Sequence, residues 1–357
     1  MAVQTPVVDM DKLMAFLGQV IGELGATVNA GLIVVGDRLG LYKAMAGAGP
    51  ISSAELAEKT GTAERYIREW LNAQAAGGFV KYDPTTQKYE LPPEQAMALA
   101  DENSPAFVGG AFELATATLK SVPHIEEIFR SGAGYGWHEH DPGVFTGCER
   151  FFRPGYNANL VSTWIPALDG VEEKLRVGAT VADVGCGLGA SSRLMAEAYP
   201  RSRVTGFDYH KQSIDLARQK AKEAGLGDRL NFEVAPAQSF PGSGYDLVTM
   251  FDCLHDMGDP VGAARHVRQA LDKDGTWLIV EPIAGDTVES NLNPVGRAYY
   301  AFSNFLCTPS SLSQDVGLGL GAQAGEKRIH DVVTAAGLTR FRRVGETPFN
   351  LVYEARP

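Results

Sequence analysis

Apolar residues near the start of the chain recur every three or four positions. Leu13, Met14, Leu17, Val20, Ile21 and Leu24 predict an amphipathic helix over Lys12 to Leu24, with a stripe that must be buried. A second helical segment is expected from Ala30 to Met45, broken by Gly47 to Pro50. Ser53 and Thr62 then stand as N-caps before AELAEKT and AERYIREWLNAQAAGGF, with a turn at Gly61 between them. Two strand-like pieces, Phe79 to Tyr82 and Lys88 to Leu91, flank a turn built on Asp83 and Pro84. Helix, turn, helix and hairpin in this order predict a mainly helical winged-helix domain.

Pro92 and Pro93 end that unit, and a largely helical stretch runs on to about Arg130. Residues 131–157 lose both periodicities and mix glycines with aromatic and ionisable groups, so they are expected to form a loop shaped by function or by packing. From about Thr180 the pattern becomes an alternation: VADVG, RVTGFD, LNFEVA, YDLVTMFD and TWLIVEP are separated by helical stretches. Alternation of this kind predicts an α/β domain with a parallel sheet covered on both faces. After an insertion at 283–325, TRFRRVGE and FNLVYEAR are close enough for an antiparallel hairpin at the sheet edge. The expected organisation is a winged-helix-like unit at 1–100, a helical linker and substrate lid at 101–170, and a ligand-binding domain at 171–357.

Composition narrows the class. With 357 residues, 45% apolar and 21% charged, the chain is long enough for two domains with a core each. No continuous apolar run approaches the ~20 residues of a membrane span. The opening MAVQTPVVDMDKLM has no basic leader before an apolar stretch, so a cytoplasmic protein without a membrane partner is expected. Cys148, Cys186, Cys253 and Cys307 are single and widely spaced, which argues against a disulfide framework or a cysteine zinc site. A net charge of −11 disfavours nucleic acid as a partner.

The strand VADV opens into Gly185-Cys186-Gly187-Leu188-Gly189, a turn that lets a ligand approach the main chain and a helix N-terminus. Gly185, Gly187 and Ala190 also satisfy a relaxed dinucleotide fingerprint, which leaves an NAD-dependent oxidoreductase as an alternative. Asp208, at the end of VTGFD, serves either by accepting from two ribose hydroxyls. Asp183, two positions before the first glycine, separates them and is expected among the cofactor contacts. With Asp183, Gly185, Gly187 and Gly189 in place, the sequence resembles the class I S-adenosylmethionine-dependent methyltransferases. The resemblance implies a Rossmann-like seven-stranded sheet, parallel with a terminal antiparallel hairpin, and S-adenosyl-L-methionine as cofactor with S-adenosyl-L-homocysteine as product. It also implies that the loop Gly185, Cys186, Gly187 and Gly189 holds the methionine part, Asp208 the ribose, and Tyr209 the adenine. The pattern departs after the third strand, where EVAPAQSF offers Pro236, Ala237 and Gln238 in place of an acid, leaving the adenine to backbone groups and Gln238.

The whole chain is similar to actinobacterial and mycobacterial methyltransferases with an N-terminal winged helix, and to plant-type small-molecule O-methyltransferases. Those likenesses imply a homodimer through the N-terminal domain and a small-molecule acceptor. The fourth strand of the sheet leads into Phe251-Asp252-Cys253-Leu254-His255-Asp256-Met257 at the edge where ligands bind. His255 is the candidate base because its ordinary pKa lies near neutrality, and Asp256 adjoins it. Plant-type enzymes carry a His-Asp pair here and an orienting acid that Glu281 in LIVEP matches; the alternative is that His255 and Asp256 only fix the loop. Phe251 and Asp252 are expected beside the cofactor.

His138-Glu139-His140-Asp141 invites a metal, but no further ligand stands at the usual spacing, so no metal is expected. The segment is expected to line the acceptor pocket with Tyr135, Trp137, Phe145, Phe151, Phe152 and Tyr156. Trp137, His138, Tyr156, Arg297 and Tyr300 are the substrate candidates, with Arg297 suited to an acidic acceptor. The competing function is a DNA-binding regulator that senses S-adenosylmethionine. Against it, Arg65 and Arg68 in the would-be recognition helix are matched by Glu64 and Glu69.

Overall fold

The computed structural model describes residues 8–357; residues 1–7, on which the leader expectation partly rests, lie outside the described residues. Two compact units divide the chain, one up to Thr116 and the other Ala117–Pro357.

The first unit opens with a single helix, Met10–Arg38, where two segments were expected. Gly25 is the only breaker-type residue between the two stripes, and one glycine costs a helix only about 1 kcal/mol. Asp9 caps it by accepting the amides of Asp11 and Lys12. The helix ends at Leu39, and Gly40 turns the chain with φ 67° into a short helix, Leu41–Met45. Ile33, Tyr42, Leu56, Ile67, Trp70 and Leu71 form the core. At Gly36 an added Cβ would meet the Trp70 ring at 2.5 Å, so only glycine lets this helix approach. Helix Ser53–Thr60 is capped by Ser52, one residue earlier than expected, because Glu55 stands three positions on and closes a capping box. Thr62 does not cap the next helix, Glu64–Ala76; its hydroxyl is bonded to that of Thr60 at 2.8 Å. In that helix Arg65 pairs with Glu69 and Arg68 with Glu64, at 2.5 and 2.6 Å. Strands β1 (Lys81–Asp83) and β2 (Lys88–Glu90) complete the hairpin.

Met10–Arg38 is uncovered on all sides over its first five turns, and Met14, Leu17, Ile21, Leu24, Val28 and Val35 are each 43% to 66% exposed. By length and composition this helix is apolar enough to cross a membrane, contrary to the expectation drawn from short apolar runs. Glycine and alanine between the larger side chains make the whole stretch apolar without any long run.

The second unit is built on a seven-stranded sheet. Its strands are β3 (Thr180–Val184), β4 (Arg203–Asp208), β5 (Leu230–Val234), β6 (Tyr245–Phe251), β7 (Leu271–Pro282), β8 (Arg340–Glu346) and β9 (Asn350–Arg356). The spatial order is β5-β4-β3-β6-β7-β9-β8, parallel from β5 to β7, with β9 antiparallel to both β7 and β8. The apolar LVYEA of β9 takes the inner place, and the arginine-rich β8 forms the edge, where charge protects open backbone groups. Alternate residues feed two cores. Val181, Leu247, Leu278 and Val352 pack on one face, and Ala182, Val248, Trp277 and Tyr353 on the other.

Residues 131–157 are not a continuous loop. Helix Pro142–Asn159 occupies the later half and passes into a π-turn at Leu160–Trp164. Asp141 caps it and Pro142 takes the first turn, a start signal that the glycines and aromatics obscured. The 283–325 insertion holds helices Pro294–Phe305 and Cys307–Leu312. Connections leave β3 and β6 in opposite directions along the sheet, which opens a crevice at their carboxyl ends.

Candidate active site

The loop after β3 has three glycines with positive φ: Gly185 at 74°, Gly187 at 52° and Gly189 at 78°. A Cβ on Gly185 would meet Cys253 Sγ at 2.6 Å, and one on Gly189 the Phe232 ring at 2.5 Å, whereas above Gly187 there is open space. Packing dictates the outer two, and the middle one exposes main chain to the crevice beside the start of helix Ala190–Ala198.

Asp183 was expected among the cofactor contacts, but it is 0% exposed and accepts the hydroxyls of Ser191, Ser192 and Thr249. It fastens the loop from behind. Burial raises its pKa, and the three hydroxyl bonds oppose that rise. Asp208 is different. Its Oδ2 accepts the Gly187 amide at 2.9 Å and its Oδ1 the His210 amide at 2.8 Å. Each oxygen keeps a lone pair, which suits two ribose hydroxyls. The donor set therefore fits S-adenosylmethionine. Tyr209 beside it is 43% exposed, and Ala237 and Gln238 are half-buried in the turn after β5.

The loop after β6 begins with strain. Asp252 sits at φ 50°, a region that costs a non-glycine residue about 1–3 kcal/mol. It is held there by Tyr156, whose hydroxyl donates to Oδ2 at 2.8 Å, and by the Asn350 amide, which donates to Oδ1 at 2.7 Å. Burial, together with the nearby Glu281 charge, pushes its carboxyl up to about 8. Asp252 and Tyr156, expected on cofactor and substrate respectively, thus bind one another. Phe251 packs in the core against Tyr156 and Trp164, with ring centroids 5.2 and 6.3 Å away.

Three residues on, His255 is 3% exposed. Its Nδ1 lies 2.6 Å from Glu281 Oε2 and its Nε2 3.1 Å from Asp256 Oδ1. The other Glu281 oxygen accepts the Leu254 amide at 3.0 Å, so the carboxylate grips both ring and loop. Burial disfavours the imidazolium, but Asp256 and Glu281 outweigh it and hold the His255 pKa well above the usual value. Cys307 completes this cluster: donor atoms of His255, Asp256 and Cys307 lie within 4.8 Å of one another, in a combination that could hold a metal ion. No spacing in the sequence marks Cys307 or Asn350.

The His138–Asp141 run fans out instead of converging. His138 is exposed and edge-on to Tyr209 at 6.3 Å, His140 is buried, and Asp141 caps a helix and pairs with Lys120 at 2.8 Å. Trp137 is half-buried, 5.6 Å from Phe145. On helix Pro294–Phe305 Arg297 is exposed and Tyr300 half-buried, while Tyr299 points inward and donates to the Phe349 carbonyl at 2.9 Å.

Residues 27–101 match the Rv2258c-like winged helix–turn–helix domain family, and residues 175–314 a methyltransferase domain family. The chain is 32% identical over 176 residues to the ubiquinone biosynthesis O-methyltransferase of Bordetella parapertussis, covering 46% of this chain and 65% of that protein. It is 30% identical over 183 residues to the O-demethylpuromycin-O-methyltransferase of Streptomyces alboniger, covering 50% of this chain and 45% of that one. The alignments thus span less than two thirds of these curated relatives. Human N-acetylserotonin methyltransferase, solved in complex with SAM, superposes with a TM-score of 0.69 at 17% identity over 99% of each chain, a likeness of fold. The chain therefore joins an Rv2258c-like winged helix–turn–helix domain to a methyltransferase domain.

Proposed function

We propose that the protein transfers a methyl group from S-adenosylmethionine to an oxygen of a small-molecule acceptor, working as a cytoplasmic homodimer. One observation carries this reading: the glycine loop with Asp208 and the His255–Glu281 pair stand at the carboxyl ends of adjacent strands, at the switch point of the sheet. The O-methyltransferase relatives favour oxygen as the acceptor atom.

Main chain exposed at Gly187, in a turn shaped by Gly185 and Gly189, binds and orients the cofactor together with Asp208. His255 takes the acceptor proton at Nε2, and Glu281 fixes the ring by accepting from Nδ1. The bound sulfonium supplies the methyl group: the acceptor oxygen pair forms the O–C bond, the C–S pair returns to sulfur, and the acceptor proton passes to His255. The neutral ring is the form that accepts the proton, so His255 acts as base above its raised pKa.

The seven-residue repeat of Met14, Ile21, Val28 and Val35, with Leu17 and Leu24 between, suits helix-on-helix packing against a second copy. The four free cysteines agree with a reducing compartment. Calorimetry with S-adenosylhomocysteine and NAD tests the cofactor assignment. Saturable binding of the first and none of the second is expected, and the reverse would overturn it.

A further inference from the structure

Among the described residues, one group of metal-ligating side chains converges: ligand atoms of His255, Asp256 and Cys307 all lie within 4.8 Å of one another. His255 Nε2 and Asp256 Oδ1 are 3.1 Å apart. That is close to the ~3.3 Å that bonds of ~2.05 Å impose on neighbouring ligands of a tetrahedral zinc ion. The three side chains stand on two segments fastened to each other. Ser311, on helix Cys307–Leu312, donates its hydroxyl to the Met257 carbonyl at 2.8 Å. The Gln314 side chain donates to the Asp256 carbonyl at 3.1 Å and accepts the Gly258 amide at 3.2 Å. Glu281 adds what a metal-binding histidine needs from behind. Its Oε2, 2.6 Å from Nδ1, accepts from that nitrogen and leaves the lone pair of the neutral ring on Nε2, the nitrogen that faces Asp256.

We propose that His255 Nε2, Asp256 Oδ1 and Cys307 Sγ form a site for a zinc ion, and that zinc bound there switches off the base. The site itself stands on the geometry; its regulatory effect rests on the methyl-transfer reading, in which Nε2 takes the acceptor proton. The donor set chooses the metal. Imidazole, thiolate and a single carboxylate suit zinc and its analogue cobalt(II), whereas magnesium and calcium demand shells of oxygen. Three protein ligands leave the fourth tetrahedral position to water. Charge also balances. The Cys307 thiol proton and the Nε2 proton leave to solvent as one divalent cation enters, so the buried cluster carries the same net charge before and after. Nothing is oxidised or reduced. A lone pair engaged by zinc accepts no proton, so bound metal and base catalysis exclude each other. His255 and Cys307 are 3% and 7% exposed, and the Asp256 side chain, 21% exposed, gives the ion its way in.

The test uses the full chain loaded with S-adenosylhomocysteine, stripped of metal by a chelator and titrated with cobalt(II) chloride. One equivalent of cobalt is expected to bring up the sulfur-to-metal charge-transfer band of a cysteine-ligated tetrahedral site. Zinc should abolish the band, and an excess of magnesium should leave it. Cys307→Ser should lose the band while its melting temperature and S-adenosylhomocysteine affinity stay at the wild-type values. Glu281→Gln, which loosens the hold on the ring, should keep the band but weaken cobalt binding about ten- to hundredfold, the usual cost of losing a partner behind a metal ligand. In turnover, zinc should lower kcat with the affinity for S-adenosylmethionine unchanged, and chelator should restore it. No band in the wild-type protein, a band that survives in Cys307→Ser, or turnover that rises with zinc would overturn the proposal. A zinc-loaded protein that turns over at the metal-free rate would overturn the regulatory effect and remove His255 as the base. Failure of the metal-free wild-type protein to bind S-adenosylhomocysteine would instead defeat the methyltransferase reading.

Discussion

Glu281 Oε2 stands 2.6 Å from His255 Nδ1, and its other oxygen is fixed by the Leu254 amide, so the imidazole is locked with Nδ1 as donor and Nε2 facing Asp256 Oδ1 at 3.1 Å. Opposite charges on both sides favour the protonated ring, whereas base catalysis requires the neutral one. The sign follows: kcat/KM should rise with pH through an apparent pKa above the ordinary histidine value of about 6.5. Glu281→Gln removes one of the charges and should move that limb to lower pH. His255→Ala should lose about a hundredfold or more in kcat with S-adenosylhomocysteine binding intact. A profile that is flat between pH 6 and 9 would remove His255 as the base.

Gly187 and Gly189 should respond differently to the same substitution. At Gly189 an added methyl group strikes the Phe232 ring, so Gly189→Ala should lower the melting temperature by several degrees. At Gly187 the space is open and the loss should fall mainly on S-adenosylhomocysteine affinity. Asp208→Asn should weaken that affinity about tenfold, since a charge-assisted bond is worth about 1.5–3 kcal/mol. Calorimetry and thermal melts together separate these outcomes; equal effects of the two glycine substitutions would contradict the division of labour in the loop.

Much of this site was legible because it is written in local patterns. Five strands with helical stretches between them mark the sheet, and Asp208 and Glu281 are conspicuous because they end apolar strands. Helix Pro142–Asn159 was hidden because its inward positions include Gly147 and Pro154, which break the apolar stripe. Asp183 shows a different limit. Its place in the motif is visible, but only the fold reveals that Ser191, Ser192 and Thr249 converge on it and turn a presumed ligand contact into a brace. Cys307 and Asn350 reach the site from 52 and 98 residues beyond His255 and Asp252, and no periodicity carries information over that distance.

The exposed stripe on Met10–Arg38 should bring two copies together. Leu17→Glu with Leu24→Glu places two carboxylates in the seam and should convert a dimer into a monomer in analytical ultracentrifugation, with the second unit still folded. A wild-type protein that sediments as a monomer at micromolar concentration, or that floats with lipid vesicles, would show that the stripe has another use.

Asp252 makes the stability of the second unit depend on pH in an unusual direction. Its folded pKa, pushed to about 8, lies above the unfolded value of about 3.9. Between these values the folded state holds a proton that the unfolded state has released. Stability is therefore lost as pH rises from about 4 to about 8, and is level above that. Each unit of the gap is worth about 1.4 kcal/mol, which makes the slope measurable even if only part of it is realised. Asp252→Asn removes the titration at little structural cost. Asparagine tolerates the left-handed backbone that this position requires. Its carbonyl oxygen still accepts from Tyr156, and its amide can donate to Asn350 if that side chain turns over. The melting temperature of the variant minus that of the wild type should then grow between pH 4 and 8 and level off beyond. A constant difference across that range would show that the burial of Asp252 carries no proton-linked penalty.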